Sequence, residues 1–140
     1  MSKINVGRVI LGGIVAGIVI DIFEYVLNGV VLASQWNDVM KALNLPMIGM
    51  NQILWFNIFG LVLGIAAVWT YAAIRPRFGA GAKTAVYAAL LTWVTAYLLP
   101  DAFNMVSGIF PMQLTIIIAC VGLVEIIVAT IAGAWLYKEE

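Results

Sequence analysis

Four stretches of this chain, residues 6–32, 52–74, 82–100 and 112–136, are predominantly apolar. Each is about long enough to cross a hydrocarbon layer, which takes roughly 20 residues of helix. That restricts the fold severely, because a lipid-exposed backbone must satisfy its own hydrogen bonds and only helices or closed barrels do so. Composition agrees: the chain is 64% hydrophobic and 10% charged, with a mean hydropathy of +1.07, far from the balance of a soluble domain. The predicted fold is an all-α integral membrane bundle of four transmembrane helices, a single domain over residues 1–140.

Punctuation marks the limits. Pro76 and Gly79 place a turn at 75–79, Pro100 closes the third span, and Pro111 occupies a tolerated first-turn position at the start of the fourth. Asp21 and Glu24 interrupt the first apolar run and no small-residue cleavage motif follows, so the first helix reads as retained rather than as a signal peptide. Lys3, Arg8, Arg75, Arg77, Lys83 and Lys138 fall on one side of the predicted bundle and only Lys41 on the other. By the distribution of Lys and Arg, both termini are expected in the cytoplasm. Between the first two spans, Trp36, Val39, Met40 and Leu43 recur at helical spacing while Asn37, Asp38 and Lys41 turn away. This pattern predicts a short interfacial helix, with a polar loop carrying a few anchors as the alternative. No internal repeat or low-complexity linker divides the chain.

At 100° per residue every span carries one stripe of small and polar residues. The first aligns Gly13, Gly17, Asp21, Glu24 and Asn28. The second aligns Asn57, Gly60, Gly64 and Tyr71, and the third Ala85, Ala88, Thr92, Thr95 and Ala96. The fourth aligns Gly122, Glu125, Ala129, Ala132 and Gly133. Turning the four stripes inward packs two G-x-x-x-G pairs. It also puts Asp21, Glu24, Thr92 and Glu125 near mid-membrane. Asn28 and Asn57 then lie roughly 10 Å nearer the outer surface, at ~1.5 Å per residue. Asn51, Gln52, Asp101 and Asn104 continue outward, so polarity forms a gradient ending in three carboxyls.

An acid at the centre of a spanning helix costs about 2.5–3.5 kcal/mol on insertion scales and is a functional candidate by default. No Lys or Arg reaches that depth. The carboxyls must therefore carry protons, share protons as a group, or hold a cation. Oxygen donors suit a hard cation or a proton better than zinc or copper, and the Glu-x-x-His pairs of di-iron bundles are missing from a chain without His. Hydrogen bonding between helices is the structural alternative, and for Asn57 alone it is the stronger one. Trp36, Trp55 and Trp135 read as interface anchors, Trp69 and Trp93 as packing residues, and Cys120 as a small buried hydrophobe. Tyr25 is a candidate donor to a neighbouring carboxylate.

The segments Gly7–Gly13 (GRVILGG), Glu24–Val30 (EYVLNGV) and Tyr71–Gly79 (YAAIRPRFG) give the whole chain a pattern that resembles a group of small bacterial four-helix membrane proteins. The resemblance implies an inner-membrane location and carries no catalytic residues. The expectation is a non-enzymatic, multi-pass membrane protein without a cofactor, a small transporter, channel or ligand-binding protein that handles a proton, cation or small ligand, working as an oligomer. Its binding site is drawn from Asp21, Glu24, Glu125, Asn28, Asn57 and Thr92. Its partners are the lipid bilayer, further copies of itself or a larger membrane complex, and a proton or cation. Zero net charge gives no reason to expect nucleic acid. The alternatives are an accessory subunit and, less favoured, a membrane enzyme acting on a lipid or quinone-like molecule.

Overall fold

A computed structural model describes residues 3–139 and is all-helical, with no strand among the described residues. Helix α1 (Val6–Glu24) runs without a break into a wider π-helical segment, Tyr25–Val31. After Leu32 the short α2 (Ala33–Ala42) follows, then α3 (Met50–Phe78). Helix α4 (Ala82–Trp93) continues through a second π-helical segment, Val94–Leu98, into α5 (Leu99–Val106), and α6 (Met112–Leu136) ends the bundle. Four continuous helices, Val6–Val31, Met50–Phe78, Ala82–Val106 and Met112–Leu136, are long and apolar enough to span a membrane.

Two prolines sit inside helices rather than ending them. Pro76 lies in the last turn of α3, which stops at Gly79, where φ is +86°. Pro100 lies in the first turn of α5. A proline in an α-helix removes one N–H and crowds the carbonyl four residues back. The widened turn just before Pro100, where the Leu99 N–H reaches back to the Val94 carbonyl, lets the third span continue to Val106.

Packing is closest between α1 and α3. Lipid supplies no hydrophobic drive between apolar helices, so association rests on close van der Waals fit. Gly64 lies directly on the backbone of Gly13 and Gly17, and a Cβ added to Gly17 would fall 2.5 Å from the Leu61 Cα. Gly12 meets Gly133 of α6 in the same way, backbone to backbone. Around these contacts Val9, Ala16, Ala67, Val68, Ala85, Ala88, Ile126 and Ala129 are completely buried. Helix α4 packs on α3 and α6. Both termini meet at this end, where the Asn5 amide donates to the Tyr137 hydroxyl at 3.4 Å.

The opposite end is looser. Every side chain of α3 from residue 50 to 59 is exposed, before Gly60 enters the core. There α2 folds back on the bundle: Val39 is buried with Leu27, Leu32 and Leu114, and Trp36 packs edge-on against Phe110, ring centroids 5.3 Å apart. Asn37, Asp38, Lys41 and Leu43 are exposed. A short helix does lie between the first two spans, with Trp36, Val39 and Met40 as its packed face, while Leu43, expected on that face, is exposed.

Candidate functional site

The acids gather where the tight half of the bundle meets the loose half. Asp21 lies against Gly60 of α3, its carboxyl filling the space that a Cβ there would need. One turn later, at the end of α1, Glu24 projects from the last residue before the helix widens. Asp21 and Glu24 are both half-buried. Glu125, in the middle of α6, is completely buried.

Each carboxyl of the central pair has its own donor. Asn28 Nδ2 donates to Glu24 Oε2, and the Asn28 Oδ1 accepts from Trp36 Nε1 at 2.8 Å. The Tyr97 hydroxyl donates to Glu125 Oε1 at 2.7 Å. The Tyr97 ring is seated over Gly122, one turn before Glu125, where an added Cβ would come within 2.5 Å of it. The other oxygen, Glu125 Oε2, is buried without a donor. A single proton between the two carboxyls would satisfy that orphaned oxygen and remove one of two negative charges.

Glu24 lies one turn from Asp21 on the same helix, and both are half-buried. Asp101 contributes a second unpartnered buried oxygen, Oδ2. No Lys or Arg offsets these charges: the one ion pair among the described residues, Arg75 with Glu139 at 3.7 Å, joins the end of α3 to the segment after α6. Among the described residues no three His, Cys, Asp or Glu side chains converge as metal ligands. Toward the termini Ala88, Ala89 and Ala129 are completely buried, whereas Glu24 and Asn28 on the α2 side are half-buried.

Four of the six residues picked from the sequence join this region: Asp21, Glu24, Asn28 and Glu125. Thr92 is buried close by in the chain, but its hydroxyl bonds back to the Ala88 carbonyl at 2.9 Å rather than to an acid. Asn57 does not join. It lies in the exposed stretch of α3, one turn before Gly60, where no neighbouring helix covers the stripe. Thr95 and Ala96 are exposed as well, and Tyr97 takes the inward position instead. The cause is the π-helical turn, whose extra residue rotates the following side chains away from a constant 100° register.

Tyr97, Asp101 and Trp36 were not picked as site residues. The available signal for the first two was Pro100, which inside an apolar span requires a local change of helical register. Outside the site, Cys120 is exposed rather than buried, and Tyr25 and Trp69 face outward. Trp93 packs and donates to the Ala119 carbonyl at 2.8 Å. Compared with protein-family models, curated proteins and solved structures, the chain matches none, so the chemistry of the site has to be read from its own residues.

Proposed function

We propose that this small membrane protein takes up and passes protons at the Glu24–Glu125 carboxyl pair, working as an assembly of copies or within a larger membrane complex. One observation carries the reading. A completely buried carboxyl, Glu125, has one oxygen held by Tyr97 and the other buried without any donor, with no base near. Such a pair is stable in lipid only when something neutralises it, and one shared proton does so with the atoms already in place. A small cation is the competing occupant; it would need further oxygen ligands around the pair.

Asn28 and Trp36 hold Glu24 in place. An amide neither gives up nor accepts a proton readily, so this arm orients the carboxyl and the proton enters beside it. Completely buried alanines lie on the terminal side of the pair, so on this reading transfer across the membrane requires the helices to rearrange. Six basic residues near the terminal end against Lys41 at the other favour cytoplasmic termini. In that orientation α2 lies at the outer interface, and the sequence resemblance favours a bacterial inner membrane.

Liposomes containing a pH-sensitive dye test the proposal. Wild-type protein should relax an imposed proton gradient, and Glu125→Gln or Glu24→Gln should abolish this while assembling normally. Unchanged flux in both variants would overturn it. The accessory-subunit reading draws on the exposed α3 segment 50–59, a surface that a neighbouring membrane helix could cover as readily as lipid. A fixed stoichiometric partner on purification from native membrane, together with no flux, would support that reading instead.

A further inference from the structure

At the end of the bundle that holds the termini, we propose a phosphate site that takes the headgroup of an anionic phospholipid. A recess of about 370 Å³ opens where the end of α3, the start of α4 and the end of α6 meet; Tyr71, Arg75, Gly81, Ala85, Trp135 and Tyr137 line it. Arg75 Nη1 is buried there with no hydrogen-bond acceptor among the described residues. Glu139 Oε1 is 3.7 Å away, too far for a hydrogen bond, and the guanidinium is steadied over the Tyr137 ring at 5.5 Å. A guanidinium carries donors and no acceptor, so the missing partner is an oxygen.

The surroundings select an anion. Helix α4 begins at this recess and no side chain caps it. Its first-turn N–H groups and positive dipole end therefore reinforce Arg75. The Gly81 amide is already taken by the Tyr71 hydroxyl at 3.1 Å, which fixes the loop.

An adjoining feature selects a lipid over a free ion. Trp135, 88% exposed, borders both this recess and a second, apolar groove of about 490 Å³ lined by Val15, Ala132 and Leu136. A recess that presents one guanidinium and an apolar groove sharing one aromatic rim match the two parts of a phospholipid. None of these residues belongs to the carboxyl site, so the proposal stands apart from proton transfer.

The test reconstitutes the protein in phosphatidylcholine vesicles containing phosphatidylglycerol, extracts it in mild detergent and counts retained lipids by native mass spectrometry. Wild type should retain phosphatidylglycerol in preference to phosphatidylcholine. Arg75→Gln should cut that retention about fivefold, the worth of one basic contact near a membrane surface, while Arg77→Gln, the same change of charge nearby, leaves it intact. Glu139→Gln, which frees Arg75 from its competing carboxylate, should raise retention. This opposite sign keeps the proposal testable even if Arg75→Gln fails to fold. Equal losses in the two arginine variants, no gain in Glu139→Gln, or retention in the vesicle's own lipid ratio would overturn it. Complete displacement by excess inorganic phosphate would also overturn it, by showing that the acyl groove contributes nothing.

Discussion

The two ends of this bundle are built by opposite means. Toward the termini, helices touch backbone to backbone through Gly12, Gly13, Gly17, Gly64 and Gly133, and the side chains between them are small and fully buried. Toward α2, two of the four spans widen into π-helix, α3 stands exposed from 50 to 59, and contacts are made by large aliphatic and aromatic side chains together with hydrogen-bonded polar ones. The first construction tolerates almost no change in helix spacing. The second holds its geometry through hydrogen bonds that can be exchanged. The carboxyl pair sits at the seam, on a rigid floor and under an adjustable roof, an arrangement suited to a site that must open on one side.

Identical substitutions in the two ends should break this comparison most sharply. Gly64→Ala pushes a methyl group into the Gly13 and Gly17 backbone. It should destabilise the bundle by about 3 kcal/mol or more, at the upper end of over-packing effects, read as a fall in thermal unfolding temperature in detergent. Gly29→Ala, in the π-helical segment, meets only the Tyr25 ring at an ordinary 3.4 Å. It should be neutral, or stabilising by up to about 1 kcal/mol as a glycine leaves a helix. Equal losses in both would erase the distinction.

At the seam, Tyr97→Phe keeps the ring over Gly122 and removes the one donor to Glu125. It should cost about 1–3 kcal/mol, the penalty for stranding a buried acceptor, and should slow proton flux. In the roof, Trp36→Phe preserves the packing against Phe110 and deletes the hydrogen bond to Asn28. A loss of about 0.5–1.5 kcal/mol is expected in the same unfolding assay. Smallest of all, Asn57→Ala should stay within about 0.5 kcal/mol of wild type, as exposed substitutions do, with unchanged flux. A loss of flux there would return α3 to the site.

The spans, the glycine stripes and the carboxyls of Asp21, Glu24 and Glu125 were legible in the sequence because each depends on local composition and a regular helical period. What escaped depends on departures from that period. With a constant 100° per residue, Thr95 and Ala96 point inward and Tyr97 does not; one π-helical turn reverses this. Pro100 marked the irregularity, but it reads equally well as the end of a helix. Asn57 shows the other limit: it sits on the right stripe of α3, yet a stripe is buried only where another helix reaches it. Asp101 lay beyond the predicted end of its span, which in the structure continues to Val106.

The central claim is that Glu24 and Glu125 hold one proton between them. Infrared difference spectroscopy of the reconstituted protein reads it directly, through the carbonyl band that only a protonated carboxyl gives and that shifts in heavy water. Wild type should show this band, and both Glu125→Gln and Glu24→Gln should remove or displace it, because the proton belongs to the pair. A wild-type spectrum without the band, or one that survives unchanged in both variants, would contradict the account.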